Sequence, residues 1–197
     1  YFICNGNEKV IRHLCMPRRN IPMATSRKSY ANMGKNFTTY GSLLRSVDKG
    51  LNTKNLVIHY LRGGDCTASI YYKNIPLKIP AWKLLIALQD DGQTPSTLIN
   101  EILRGEENNL FLASRTRAWL TEAEKVNIIT GRIARATIGR QLRGLMKYGT
   151  EGLPEWWTFE EFGQHIIDTA VAPHLGTGQE NNADRLRLLC HMVRQSF

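Results

Sequence analysis

The sequence predicts an α+β fold in which a β-rich N-terminal part, residues 1–80, with a hairpin, precedes a mainly helical C-terminal part, residues 81–197. Two observations predict this order. Apolar residues before Pro80 form short β-branched and aromatic stretches, and after it they recur about every 3.6 residues. Since no linker, repeat or low-complexity stretch separates the two parts, we expect one domain spanning residues 1–197.

The elements before the hairpin are expected to be short. Residues 1–4 and 10–16 are apolar stretches, and they are bounded by the turn signal Asn5-Gly6 and by Pro17 and Pro22. Glycine and proline at such positions mark turns and the boundaries of strands. We therefore expect short strands in this region.

The clearest β unit is the hairpin itself. Residues 56–61 and 67–72 are rich in β-branched and aromatic side chains, and Gly63 and Gly64 lie between them. Glycines supply the positive φ angles that a tight hairpin turn requires. The alternating segment 75–79 follows and contains a proline, which predicts a strand at the edge of the sheet.

Signals for helices follow one another after residue 80. Pro80 suits the first position of a helix, residues 82–88 are apolar nearly all round, and Gly105 ends a second helical pattern. Thr121 and Thr158 each precede a glutamate by three residues. These two patterns are typical of capping boxes, so they predict two further helix starts.

The last helix has the most regular pattern. Its apolar residues recur at intervals of three and four: Ala183, Leu186, Cys190, Val193 and Phe197. This spacing predicts a stripe that faces the core. Arg187 and Arg194 lie seven residues apart on another side of the helix.

Composition excludes several classes of protein. Of the 197 residues, 42% are apolar and 22% are charged, and this composition disfavours disorder. No apolar run approaches the roughly 18 residues of a membrane span. Residues 1–20 mix charged side chains into the apolar positions, so we expect no secretory signal peptide. Because the chain begins with Tyr1 rather than Met, we expect a piece of a longer protein.

The net charge of +9 is unevenly distributed. Residues 1–80 contain 13 basic and 3 acidic side chains, whereas residues 81–197 contain 13 basic and 14 acidic ones. Such asymmetry is typical of a surface that faces nucleic acid or an acidic protein. A basic surface that contacts only solvent is the alternative.

The four cysteines are separated by 11, 51 and 124 positions. Without a C-x-x-C pair or a histidine at zinc-finger spacing, a zinc site has little support. Each cysteine has apolar neighbours, so we expect small buried side chains in a reducing compartment rather than disulfides.

A search for catalytic groups finds no motif of a hydrolase or transferase. His59 lies in the middle of a predicted strand, where an ordinary hydrogen-bonded histidine is the simplest interpretation. Asp90, Asp91 and Glu101 could be imagined around Mg²⁺ in a metal-dependent hydrolase, but acids before a glycine are common at solvated helix ends. We therefore expect no catalytic residue, no metal ligand and no cofactor in the chain.

Two basic clusters are the candidate contacts to nucleic acid or to a protein partner. The first contains Arg18, Arg19, Arg27 and Lys28, and the second contains Arg132, Arg135, Arg140, Arg143 and Lys147. Either could bind phosphates, but neither is interleaved with aromatic residues that would stack on bases. For the second cluster, an ordinary basic helix face is the competing interpretation.

Four strings in the right order resemble the lobe, the second domain of the second-largest subunit of multisubunit RNA polymerases. They lie within residues 1–12, 55–61, 79–90 and 174–192, and Met-Pro-Arg-Arg-Asn at residues 16–20 resembles the RNA polymerase I type. Between residues 91 and 172 the resemblance extends little beyond helical character.

The resemblance implies a non-catalytic part of a DNA-directed RNA polymerase, a nucleotidyltransferase whose Mg²⁺ is held mainly by the largest subunit. It implies a lobe that borders the DNA cleft in the assembled enzyme. It also implies docking of the small zinc-ribbon subunit and of the heterodimer related to an initiation factor, in the nucleus and nucleolus, for rRNA-gene transcription. The alternative is a free-standing, sequence-independent nucleic-acid-binding module.

Overall fold

The computed structural model describes residues 1–90, 92–93, 95–146 and 156–197. Its strands are β1 (Phe2–Cys4), β2 (Asn7–Lys9), β3 (Pro22–Ser26), β4 (Phe37–Val47), β5 (Thr53–Leu61), β6 (Cys66–Tyr72) and β7 (Ile75–Pro80). Strands β1 and β2 pair with each other, and β3 to β7 form an antiparallel sheet in sequence order.

The helices follow the sheet, apart from one short helix between β3 and β4. They are α1 (Lys28–Ala31), α2 (Ala81–Ala87), α3 (Pro95–Leu103), α4 (Leu110–Lys125), α5 (Gly131–Leu145), α6 (Phe159–Ala170) and α7 (Asn182–Ser196). Short 3₁₀ turns at Pro173–Leu175 and Gln179–Asn181 connect α6 to α7. The α+β class and its order, sheet first and helices second, are confirmed. None of the described helices is long and apolar enough to cross a membrane.

The predicted hairpin and edge strand are both confirmed. Strands β5 and β6 pair from Val57 opposite Ser69 to Tyr60 opposite Cys66. At the turn, Gly64 has a φ of +81°, a backbone conformation that residues other than glycine rarely adopt. Strand β7 pairs only with β6 and forms one edge of the five-stranded sheet.

Strand β4 was not predicted, although with 11 residues it is the longest strand. Both of its faces are covered, so its apolar residues do not alternate with exposed ones. Ser42 Oγ donates a hydrogen bond to Gln195 Oε1 of α7 at 2.9 Å, and Ser46 Oγ lies 2.7 Å from His174 Nδ1. Polar residues of β4 thus bind the helical layer directly.

The core lies between the sheet and the helices. Its buried side chains come from every strand from β4 to β7 and from the helices after β7; fully buried examples are Ile58, Ile70, Leu85, Ile166 and Val193. Tyr72 and Phe162 meet edge to face across this interface, with ring centroids 6.1 Å apart. Helices α2 to α7 therefore form a layer that packs on one face of the sheet.

One of the two predicted capping boxes is confirmed and the other is wrong. The Thr158 side chain accepts a hydrogen bond from the backbone of Glu161, whose carboxylate accepts one from the Thr158 backbone at 2.8 Å. Thr121 lies inside α4 instead, and its hydroxyl donates to the carbonyl of Arg117 at 3.2 Å. Helix α4 begins earlier, where Asn109 caps it.

The stripe predicted on α7 is largely confirmed, because Leu186, Cys190 and Val193 are buried whereas Ala183 is exposed. Phe197 follows the helix and packs against three aromatic rings with centroid distances of 5.4–5.9 Å: Tyr60, Phe111 and Trp119. On another side of the helix, Arg194 donates to the carbonyls of Glu101 and Ile102 at 2.9 and 3.1 Å. These carbonyls belong to the last turn of α3, where a cation is favourable.

The prediction of four buried cysteines is wrong for two of them. Cys66 and Cys190 are buried, whereas Cys4 and Cys15 are exposed and all four are free thiols. Cys4 ends the short strand β1 and Cys15 lies in irregular backbone, and neither segment packs into the core. Apolar neighbours in the sequence indicated burial here, but those neighbours are themselves exposed.

We expect this difference to be visible in thiol labelling. A disulfide reagent such as DTNB should react promptly with two thiols of the native chain and with all four after unfolding. Burial raises the pKa of Cys190 to about 12 and raises that of Cys66, so neither forms the reactive thiolate near neutral pH. Prompt reaction of a Cys4→Ser/Cys15→Ser variant would contradict this assignment.

His59 lies on β5 in a small aromatic cluster on the sheet face opposite the main core. Its ring meets Tyr30 and Phe37 edge to face at centroid distances of 4.6 and 5.4 Å. Within the described residues its Nδ1 is buried without a hydrogen-bond partner. This differs from the ordinary hydrogen-bonded histidine that we expected. Burial, and secondarily the charge of Lys78, lower its pKa to about 4.

This histidine should make the fold less stable in acid. In the unfolded chain it binds a proton near pH 6.5, whereas the folded chain excludes that proton down to about pH 4, so protonation favours unfolding between these values. We expect the free energy of unfolding to fall by about 2 kcal/mol from pH 7 to pH 5 through this group. Urea unfolding at both pH values, compared with His59→Phe, checks this; an equal fall in the variant would contradict it.

Candidate functional site

The first basic cluster is divided between the two ends of β3. Arg18 and Arg19 precede the strand, and Arg27 and Lys28 follow it. A five-residue strand is about 16 Å long, so the two pairs are separated by at least that distance. All four side chains are exposed. The cluster is therefore a line of charge along one edge of the sheet rather than a compact patch.

These four cations make no ion pair with any described residue. The ion pairs between described residues lie in the helical part, from Glu101 to Arg187. The excess positive charge of residues 1–80 is therefore largely unneutralised by the described part of the chain. Such a surface attracts an anionic partner, and it does so less strongly as salt increases.

The first 16 residues form a second exposed feature, which we call the N-terminal arm. Apart from the pairing of β1 with β2, the arm is irregular, and its apolar side chains are 55–82% exposed: Tyr1, Phe2, Ile3, Val10, Ile11, Leu14 and Met16. Exposed apolar groups at this density are typical of a surface that another protein segment covers. Lys9 and Arg12 add positive charge to the arm.

The second basic cluster is largely occupied by contacts between α5 and α6. Glu160 of α6 binds both Arg132, at 2.8 Å, and Arg135, at 3.1 Å. Arg135 is only 2% exposed and also donates to the carbonyl of Ala87 at 3.2 Å and to that of Gln89 at 3.4 Å. Arg135 therefore lies inside the fold and ties α5 to the end of α2, so it presents no surface to a partner.

Two further members of this cluster, Arg140 and Arg143, lie around the start of α6. The guanidinium groups of Arg140 and Arg143 lie 5.2 and 5.5 Å from the Phe159 ring centroid, and Arg143 also donates to the Trp157 carbonyl at 3.4 Å. Arg140 is exposed and Arg143 is partly buried. Lys147 lies outside the described residues. The described members of this cluster thus each contact another residue of the fold.

Of the acidic residues considered for a metal, the two that the structure describes make other contacts, and Asp90 accepts a hydrogen bond from the Gln93 side chain at 3.5 Å. The Glu101 carboxylate lies 3.6 Å from the guanidinium of Arg104, and Asp91 lies outside the described residues. In the ranges that the structure describes, no three histidine, cysteine, aspartate or glutamate side chains are grouped so that they could hold a metal ion.

Together these features define the class of protein: an α+β chain with an exposed apolar arm and a line of cations along its sheet that make no ion pair with described residues. Comparison with known proteins then gives the family. The chain is homologous over its whole length to DNA-directed RNA polymerase I subunit RPA2, with 30% identity to that of Neurospora crassa, 33% to that of Dictyostelium discoideum and 28% to that of Homo sapiens. These matches confirm the resemblance to the RNA polymerase I type of subunit.

The chain spans about 16% of the length of these relatives, so it corresponds to a domain-sized segment of the subunit. No protein-family model matches the chain.

Proposed function

We propose that the chain is the non-catalytic lobe domain of the second-largest subunit of RNA polymerase I. In this role it borders the DNA cleft and docks smaller polymerase subunits during transcription of rRNA genes. The observation that carries the proposal is the end-to-end homology to RPA2, a subunit of a DNA-directed RNA polymerase. Its relatives imply a nuclear location, and we propose the nucleolus as the site of action.

The exposed surfaces support a docking role. In the N-terminal arm, Val10, Ile11 and Leu14 are each more than 70% exposed. Side chains of these types are usually buried in folded proteins. Within an assembly, such residues gain stability when another segment covers them. We therefore propose that the arm contacts other parts of the polymerase, including the largest subunit.

The unpaired cations support a position beside DNA. Four basic side chains line the β3 edge without ion pairs to the described residues, and further exposed lysines and arginines lie elsewhere in residues 1–80. Phosphates attract such groups without regard to base sequence. A domain that borders a cleft needs this kind of contact, since it must tolerate every sequence that passes.

A pull-down experiment tests the docking role. The tagged chain is mixed with the small zinc-ribbon subunit or with the initiation-factor-like heterodimer, and we expect retention of at least one of them at low and moderate salt. A Val10→Ser/Ile11→Ser/Leu14→Ser variant tests the arm, and Thr121→Ser, an exposed change on α4, is the control. If neither partner is retained at either salt concentration, the docking role is wrong.

The second candidate function is a free-standing, sequence-independent nucleic-acid-binding module. The unpaired cations at both ends of β3 favour it. Its signature is a steep fall in the affinity for duplex DNA as salt rises, with a logarithmic slope of about −0.9 for each phosphate that is neutralised. Tight, steeply salt-dependent DNA binding without any subunit binding would favour this candidate, and a flat response would exclude it.

A further inference from the structure

The two edges of the main sheet are protected differently. Strand β7 contains prolines at positions 76 and 80 and the exposed Lys78, which block the addition of another strand. Strand β3 has a proline only at its first residue, Pro22, and then reads Met-Ala-Thr-Ser. From residue 23 to residue 26 this edge therefore lacks the usual protection.

The hydrogen-bond pattern shows which backbone groups of β3 are available. The Arg27 amide donates to the Thr39 carbonyl at 2.7 Å, and in an antiparallel pair bonded positions alternate with unbonded ones. Thr25 and Met23 are therefore the residues that bond to β4. The amides and carbonyls of Ala24 and Ser26 point away from β4 toward the open edge.

These outward groups are accessible. Ala24 and Ser26 are both exposed, and neither has a hydrogen bond outside the strand ladder to any described residue. Two amides and two carbonyls spaced at the repeat of a β-strand match the pattern that another extended chain presents. Backbone geometry at this edge thus selects an extended polypeptide.

A cavity of about 550 Å³ lies beside the same strand. Residues 24–26 form one side of it, and three aromatic residues line the rest together with Gly41, Gln195 and Ser196: Tyr40, Tyr60 and Phe197. Tyr40 is 58% exposed at its mouth. A strand added at β3 directs alternate side chains to this face of the sheet, so an apolar or aromatic side chain in its middle could enter the cavity.

Charge gives the chemistry of the partner. Arg18 and Arg19 lie before β3, and Arg27 and Lys28 lie after it, all exposed and without ion pairs to described residues. A strand bound between these pairs would place its own ends near cations. Carboxylates at both ends of that strand would therefore complement the edge.

We propose that the open edge of β3 binds an extended acidic segment of a partner protein by β-strand addition. The segment pairs with the Ala24 and Ser26 backbone, inserts a central apolar or aromatic side chain into the cavity and places acidic residues near the cations at each end. This inference names the partner chemistry and the binding mode for the docking role proposed above, and it rests on that role.

A peptide-binding experiment tests the inference separately from polymerase assembly. The probe is a fluorescein-labelled peptide of nine residues, with the core Thr-Val-Phe-Val-Thr between two aspartates at each end. Its binding to the chain is followed by fluorescence anisotropy, and protection of the Ala24 and Ser26 amides is followed by hydrogen exchange. We expect saturable binding and slower exchange of both amides.

Substitutions in the chain separate backbone pairing from charge. Ala24→Pro removes an outward amide without removing a bond to β4, and we expect it to weaken binding at least tenfold. Arg27→Glu/Lys28→Glu should weaken it similarly. Pro22→Ala adds one outward amide and should preserve or strengthen binding, while Arg117→Glu, an exposed charge reversal on α4, is the matched control and should change nothing.

Altered peptides test the inference on the unchanged chain, so this part of the test does not depend on whether a variant folds. A peptide methylated on alternate backbone nitrogens cannot pair as a strand, and one with lysines at its ends has the wrong charge; we expect neither to bind. Equal binding of the methylated peptide, or no binding of the original one, overturns the inference even if subunits are retained in the pull-down. A different outcome is that duplex DNA displaces the probe and binds Ala24→Pro as tightly as it binds the unchanged chain. That result would assign the edge to nucleic acid and would also overturn the inference.

Discussion

Gly139→Ala is expected to destabilise the fold by about 3 kcal/mol or more, the upper end of the cost of overpacking. Helices α5 and α6 approach each other backbone to backbone at this position. A Cβ on Gly139 would overlap the carbonyl oxygen of Phe159 and lie 2.9 Å from the amide nitrogen of Gly163. Because both obstacles are backbone atoms, the helices would have to separate.

The same close approach is visible from the other helix, since a Cβ on Gly163 would overlap the carbonyl of Arg135. Gly144 is the matched control, because it lies in the same helix with nothing within 4 Å of the added carbon. Alanine there should stabilise the chain by about 0.5–1 kcal/mol. Urea unfolding of both variants measures the difference, and equal midpoints would show that α5 and α6 do not meet as described.

The second large effect is expected at Arg185, whose replacement by alanine should cost about 3–5 kcal/mol. This arginine is 0% exposed, and its guanidinium lies 3.0 Å from a carboxylate oxygen of Asp168. It also donates to four further acceptors: the carbonyls of Val171, Gly176 and Gly178 and the side chain of Asn182. Alanine would remove this donor from all five acceptors, and Asp168 and Asn182 would keep only the Gln164 amide.

Arg185→Lys separates charge from geometry. A lysine keeps the charge near Asp168 but lacks the planar fork that reaches several carbonyls at once, so we expect a smaller loss than with alanine. Arg187→Ala is the matched control two residues later, because its ion pair with Asp184 is 3.4 Å long and both side chains are more than 60% exposed. It should change the free energy of unfolding by less than about 1 kcal/mol. Equal thermal midpoints for Arg185→Ala and Arg187→Ala would contradict this interpretation.

The elements that the sequence predicted well are those that local chemistry specifies. Between the β-branched runs Gly64 supplies the positive φ of a tight turn, and Thr158 with Glu161 closes a capping box, whatever the rest of the fold does. Such signals depend on residues that are neighbours in the chain. They therefore survive without knowledge of tertiary contacts.

The elements that sequence reasoning missed depend on distant partners. In strand β4, Ser42 and Ser46 bond to Gln195 of α7 and to His174 of the 3₁₀ turn. Thr38 donates to the Tyr60 carbonyl of β5, and a Cβ on Gly41 would lie only 2.6 Å from the Ile58 carbonyl oxygen. Thr121 has the spacing of a capping box, but the helix had already begun at Asn109. The same pattern occurs inside helices, and only packing shows which position starts one.

The candidate site was predictable in outline only. Unequal charge along the chain pointed to the cations around β3, which the structure leaves without ion pairs to described residues. It could not separate these from Arg135, which has the same side chain but is buried against Glu160 and α2. Charge counts treat all arginines alike, whereas burial depends on an acidic partner elsewhere in the chain.

Three buried or partly buried arginines bind the carbonyl ends of helices, and two of them should affect the rate of unfolding. Arg135, Arg185 and Arg194 each donate to carbonyls at or just beyond the end of a helix, those of α2, α6 and α3 respectively. For Arg135 and Arg194 the partners are 46–48 and 92–93 residues away along the chain, so these bonds form only after the helices have docked. Interactions absent from the folding transition state act on the unfolding rate. Arg135 and Arg194 should therefore prolong the lifetime of the folded state and leave the rate of folding almost unchanged.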